Sequence, residues 1–126
     1  MTRHAFRQAV EAHDWDAGID ALADDVVFRS PVVFKPYEGK PAVSVLLRAV
    51  SQVFENFRYV AELESEDGMA LVFEARVGDR EVQGLDFLRF GADDKIREFT
   101  VMVRPMSGMH ALAEAMKAQL EAAGAA

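Results

Sequence analysis

Val82–Phe90 reads VQGLDFLRF, and it alternates. Val82, Gly84, Asp86, Leu88 and Phe90 point to one face of a strand, and Gln83, Leu85, Phe87 and Arg89 to the other. Both faces are largely apolar, so neither reads as freely solvated. Asp86 sits mid-strand between Gly84 and Leu88 on its own face. A carboxylate there loses water unless it is paired, protonated or met by a ligand. The remainder of the chain reads as walls around this residue.

Those walls come from 126 residues, the length of one domain, 1–126. Apolar residues make up 51% and charged residues 28%, the balance of a globular protein with its own core. There is no cysteine, which removes disulfides, thiolate metal sites and thiol nucleophiles, and suits a reducing compartment. No apolar run approaches the roughly 18 residues of a membrane span. The opening MTRHAFRQAVEAHDWD carries scattered charges and does not read as a secretory signal. The expectation is a cytoplasmic protein. A net charge of −7, with its 14 basic residues unclustered, disfavours nucleic acid as a partner.

Working outward, Met69–Val77 alternates before the Asp86 strand, and Gly78-Asp79-Arg80 is the hairpin turn between them. Phe57–Ser65 is the preceding strand. Gly91–Asp94 turns into a last strand, Lys95–Arg104, with Phe99, Val101 and Val103 on one face. Ahead of this meander, Arg3–Ala12 and Trp15–Ala23 read as helices, the second capped by Asp14. Asp24-Asp25 ends that helix and Val26–Ser30 is a short strand. PVVFKPYEGK (31–40) reads as a loop arching over a cavity mouth. Pro41 opens a third helix that runs to Phe54, and Ser107 caps a final one from Gly108 to Glu121. Helices followed by an antiparallel meander predict an α+β fold with helices on one sheet face.

In this order and spacing the chain resembles the nuclear transport factor 2-like superfamily, which includes ketosteroid isomerases and SnoaL-like polyketide cyclases. DWDAGIDALADDVVFRSP, YEGKPAV and GLDFLRFGADDKIREF carry the resemblance. It implies a cystatin-like α+β fold, whose curved antiparallel sheet and helices enclose a cone-shaped pocket, and dimerisation through the outer sheet face. Compared with ketosteroid isomerases, Asp86 followed by Phe87, Leu88, Arg89 and Phe90 takes the oxyanion-donor position. In those enzymes an apolar site keeps that carboxyl neutral, so that it donates a hydrogen bond. Ser30, before Pro31, stands at the general-base position. Gln8 falls at the phenolic-donor position and Leu47 near a further tyrosine. A hydroxyl without an adjacent base does not move a carbon-bound proton near neutral pH. Steroid isomerisation by that route is therefore not expected.

Asp86, with Ser30 and Tyr37 as polar partners, forms the candidate catalytic set. Trp15, Phe28, Leu47, Leu71, Phe73, Leu88, Phe99, Val101 and Val103 are the candidate ligand-binding wall, and each also reads as ordinary core. Tyr59 lies on a strand whose parity decides whether it reaches the pocket. His4, His13 and His110 show no mutual ligand spacing, so no metal site is expected, and no cofactor. The expected partners are a small, mostly apolar molecule bearing a carbonyl or hydroxyl and a second copy of the chain. Two classes stay open. One is a cofactor-free acid–base enzyme of isomerase, cyclase or dehydratase type. The other is a non-catalytic binding or dimerisation module.

Overall fold

The structure is a computed structural model and describes residues 3–124. Elements run α1 (Ala5–Glu11), α2 (Trp15–Asp20), β1 (Leu22–Arg29), β2 (Tyr37–Glu38), α3 (Lys40–Val53), β3 (Glu55–Glu64), β4 (Gly68–Val77), β5 (Arg80–Phe90), β6 (Ile96–Arg104) and α4 (Met106–Ala122). One six-stranded curved sheet has the order β2-β1-β6-β5-β4-β3. The β3–β6 meander is antiparallel, and β1 joins β6 in parallel. The α+β architecture read from the sequence is the one observed.

Local chemistry accounts for the element ends. The Asp14 carboxylate accepts the Ala17 N–H at 3.1 Å and starts α2. Pro41 occupies the first turn of α3, where a missing N–H costs nothing. Most boundaries move by one to four residues from the sequence reading, β1 starting at Leu22, β3 at Glu55 and β5 at Arg80, and three differences have a local cause. Helix α2 ends at Asp20, before Asp24-Asp25, because Leu22 and Val26 are buried along β1 and the two aspartates are exposed between them, where the pairing with β6 shifts register. The 31–40 segment contains a two-residue strand, since Tyr37 and Glu38 pair with Phe28 and Val27. Helix α4 starts at Met106 with Pro105 at its N-cap, not Ser107. Gly108 lets the first turn lie close against β5: a Cβ there would stand 2.5 Å from Val82 Cγ1.

Cross-strand register stacks the inner face of the sheet in rows. Met69, Leu88 and Phe99 form one row, Leu71, Asp86 and Val101 the next, and Phe73, Gly84 and Val103 the third. Against this face α1 packs Phe6 and Val10, and α3 packs Val43, Leu46 and Leu47. Phe99 meets Phe6 edge-on at 5.2 Å and lies 5.1 Å from Phe28.

Strand β3 departs from simple alternation twice. Its pairing with β4 shifts between Glu55 and Arg58, where Asn56 has φ 54°, and again between Tyr59 and Ala61. Each shift inserts one extra residue, as a β-bulge does. The first puts Tyr59 opposite Phe73 and the second puts Glu62 opposite Leu71, both inward-facing rows. Leu63, which unbroken alternation places inside with Tyr59, is 70% exposed.

Gly84 is the residue that lets the third row close. A Cβ on it would lie 2.1 Å from the Phe73 ring, and Phe73 is itself held by Phe57 at 4.9 Å and Phe54 at 5.4 Å. Gly84→Ala is expected to lower the free energy of unfolding by about 1–3 kcal/mol, as overpacked cores do. Urea denaturation measures it, and Phe73→Leu in the same chain should recover part of the loss. An unchanged midpoint for Gly84→Ala would mean that the ring is not confined.

Candidate functional site

Between the inner sheet face and the helices lies a cavity of about 360 Å³. That volume lies within the range of small-molecule pockets. Its wall is mainly apolar. Phe6 and Val10 come from α1, Trp15 from α2, Leu46, Leu47 and Val50 from α3, Phe57 from β3, and Phe99 and Val101 from β6. Leu112 and Met116 of α4 close the far side. Exposed Glu11, His13, Asn56 and Arg58 also border the cavity. His13 and Asn56 both hold the left-handed backbone conformation, with φ 55° and 54°.

Asp86 lines this space at 7% exposure and is the one buried charged residue among those described. The Tyr59 hydroxyl donates to its Oδ2 at 3.0 Å. Oδ1 has no partner among the described residues. No buried side-chain polar atom there is left unpaired, so Oδ1 is open to the cavity. Burial pushes the Asp86 carboxyl up from 3.8 to about 7, and the Tyr59 hydrogen bond opposes that rise. Burial first, and then the Asp86 charge, hold the Tyr59 phenol well above its usual value. Near neutral pH the pair therefore offers a carboxyl in both protonation states beside a phenol that keeps its proton. It is equipped to exchange a proton with a ligand and to hydrogen-bond a carbonyl oxygen or hydroxyl.

The SnoaL-like domain model matches residues 3–99. The chain belongs to the SnoaL-like domain family. A crystal structure of a steroid delta-isomerase from Pseudomonas aeruginosa is 44% identical, with a TM-score of 0.91, over 96% of this chain and 90% of that one. An uncharacterised protein with a cystatin-like fold from Silicibacter pomeroyi DSS-3 is 31% identical, with a TM-score of 0.88, over 93% of this chain and 83% of that one. A putative SnoaL-like polyketide cyclase from Shewanella denitrificans OS-217 shares the fold at 12% identity, with a TM-score of 0.64, over 90% and 93% of the two chains. No curated protein matches the chain. The nuclear transport factor 2-like superfamily inferred from the sequence is thus the superfamily found.

Of the sequence-selected residues, Asp86, Ser30, Trp15, Phe28, Leu47, Phe99 and Val101 come together on the cavity wall of this SnoaL-like protein. Leu71, Phe73 and Leu88 do not line it. They are almost fully buried and packed within the two hydrophobic clusters. Val103 borders a second, shallower groove beside the 31–36 loop. Tyr37 is held in β2 by pairing with Phe28 and packs on the core, away from the cavity lining. Ser30 Oγ accepts the Val32 N–H at 2.9 Å, which folds the loop back at the cavity edge. Gln8 is exposed on the outside of α1, so the α1 side chains that reach the cavity wall include Phe6 and Val10.

The phenol comes instead from Tyr59. Unbroken parity through β3 could not assign it, but Asn56, a residue tolerant of the left-handed region, was the available signal of a bulge. Dispersed in sequence, His4 nonetheless lies beside Glu62 and Glu64, whose ligand-type atoms lie within 4.8 Å of one another. Arginines already engage both carboxylates, Arg7 with Glu62 at 2.9 Å and Arg3 with Glu64 at 3.8 Å.

The raised Asp86 value has a signed consequence for stability. From about pH 3.8 to about pH 7 the folded chain holds a proton that the unfolded chain has lost. The contribution of this group is fully present below that window, falls as the pH rises through it, and is level above. Asp86→Asn removes the slope. The unfolding free energy of Asp86→Asn minus that of wild type should climb across the window, measured by urea titrations at a series of pH values. A flat difference would show a carboxyl with an ordinary pKa.

Proposed function

We propose that this SnoaL-like protein binds a small, mostly apolar carbonyl or hydroxyl compound and performs cofactor-independent acid–base chemistry on it. The observation that carries the reading is the Tyr59–Asp86 hydrogen bond facing an apolar cavity. For an enolisable carbonyl compound, the Asp86 carboxylate takes a proton from the carbon next to the carbonyl. The C–H electron pair becomes the C=C bond of an enolate, and as Asp86 becomes neutral the single Tyr59 O–H turns from Oδ2 to the developing oxyanion. Asp86 then returns the proton to the same or another carbon, so an isomerisation consumes no other reactant. In a dehydration Asp86 instead gives the proton to the hydroxyl on the neighbouring carbon, which leaves as water while the enolate electrons form the new C=C bond, and in a cyclisation the enolate carbon attacks a second carbonyl of the same molecule and Asp86 protonates the resulting alkoxide. The 44% identical steroid delta-isomerase supports a reaction of this class. Ser30 at the cavity edge stands where a second carboxylate would have served as base, so the proton transfer is assigned to Asp86.

Two copies are proposed to pack through the outer sheet face. Val72, Leu85 and Phe87 are partly exposed there and Met102 is 55% exposed. Covering such a patch in a symmetric pair removes apolar area from water. The protein is proposed to act in the cytoplasm. No helix among the described residues is long and apolar enough to cross a membrane.

The test is a thermal-shift screen of apolar ketones, enones and alcohols on wild type, Asp86→Asn and Tyr59→Phe, followed by turnover assays on the hits. A hit should stabilise wild type and bind each variant roughly tenfold or more weakly, as loss of a buried hydrogen bond to the ligand implies. Turnover should fall with Asp86→Asn while its fold is retained. Binding that survives Asp86→Asn with no turnover in wild type would make the protein a non-catalytic binding module.

A further inference from the structure

Arg7 is joined to the cavity pair from outside. Its Nη1 donates to Glu62 Oε1 at 2.9 Å, and its Nε lies 3.3 Å from Glu11 Oε2, one helical turn away. Its guanidinium carbon is 5.6 Å from the centroid of the Tyr59 ring. Phe57 meets the same ring edge-on at 5.0 Å. A tyrosine side chain has two free torsions, and its hydroxyl reaches Asp86 only if the ring direction is fixed. The second β3 bulge makes the arrangement possible. Tyr59 and Glu62, three residues apart, fall on one face, which regular alternation forbids. One arginine from α1 can then hold both.

We propose that Arg7 is a positioning residue for the Tyr59–Asp86 pair. Anchored by Glu62 and Glu11, its cation over the Tyr59 ring keeps the phenol on Asp86 and strengthens it as a donor to negative charge in the cavity. A cation on the ring face withdraws electron density from the O–H, which makes the phenol a better donor. Arg7 lowers the Tyr59 pKa against the opposing effects of burial and Asp86, whereas the groups that act on Asp86 are burial and Tyr59. The influence of Arg7 on the carboxyl therefore runs through the phenol.

The other charged groups near the pair are few. Glu11 of α1 and Glu62 of β3 balance Arg7. His13 and Arg58 border the cavity, Arg58 bound to Glu74 at 2.9 Å. The cavity-lining residues of α3, β6 and α4 carry no charged side chain, and β4 sets Leu71 opposite Asp86. The inference rests on the acid–base reading of the cavity, because only there does a tuned donor matter.

The experiment is a carbon-detected NMR titration of the Asp86 carboxyl, assigned with Asp86→Asn, in wild type, Arg7→Leu, Arg7→Lys, Tyr59→Phe and Arg7→Leu/Tyr59→Phe. Arg7→Leu should raise the Asp86 midpoint by roughly half a pH unit, and Arg7→Lys should restore most of it. In the Tyr59→Phe background Arg7→Leu should add nothing. If Arg7→Leu does not fold, Arg7→Gln, which can still bond Glu62 without the charge, carries the same comparison. An unmoved midpoint, or an equal shift with and without the phenol, overturns the inference. The titration uses no ligand, so it separates the two failures. A library without a single binder removes the acid–base reading, whereas bound ligand with an unmoved midpoint removes only the role of Arg7.

Discussion

A carboxyl sealed in an apolar cavity with a single phenol for company sets the terms for the rest of this molecule. Ionised, Asp86 has lost most of its water and recovers one charge-assisted hydrogen bond within the described residues, from Tyr59. Neutral, it can donate in its turn. The two effects oppose each other, burial favouring the neutral form and the Tyr59 hydrogen bond the ionised one. With several backbone N–H groups aimed at it, the carboxylate would be stable at any physiological pH. With none, the group would stay protonated. Burial raises the carboxyl to about 7 and the phenol opposes that rise.

Building the pair takes more of the chain than two residues. Asp86 stands on β5, paired on both sides, between Leu71 and Val101. Tyr59 stands two strands away on β3, at the edge of the sheet. Tyr59 belongs to the row of Phe73 and Gly84, which face each other across β4 and β5, and its phenol reaches Asp86 in the next row. Gly84 offers no side chain, so the Phe73 ring fills its place. The bulges in β3 then decide which side chains face inward, and α1 covers them with Phe6, Val10 and Arg7. A defect in sheet regularity and a missing side chain are thus parts of the site as much as its polar atoms are.

How much of this could be read from the chain follows from which signals survive locally. Alternation in VQGLDFLRF placed Asp86 on a buried face, because β5 pairs with β4 without a break. Pro41 and Asp14 marked helix starts through chemistry confined to one turn. Tyr59 was out of reach, because a bulge is an event between two strands and shifts parity for every residue beyond it. The choice between wall and core was equally hidden. Leu71 and Leu88 carry the same side chain and alternation as a wall residue would, and only tertiary packing closes over them. Tyr37 looked free within a proline-flanked segment until β1 paired with it.

The neighbours show how much sequence variation this fold tolerates. A putative polyketide cyclase with 12% identity keeps the fold, and a steroid delta-isomerase with 44% identity nearly superimposes. What they share is the fold, a sheet with helices packed on it, which any sequence of suitable pattern can maintain, and in this chain the two layers leave an apolar space between them. Chemistry enters through the few polar atoms that the space admits, and each one admitted needs a partner. In this chain, Ser30 is turned back by its own loop, Gln8 faces outward, Glu11, His13, Asn56 and Arg58 border the cavity from exposed positions, and the one buried charge on its wall is the Asp86 carboxyl, paired with the Tyr59 phenol. With one oxygen of Asp86 committed to Tyr59, the other is the atom left for a ligand. A guest that offered it neither a donor nor a carbonyl oxygen would strand that oxygen without water, so the cavity selects for polarity at that point and for apolar surface along the rest of the wall.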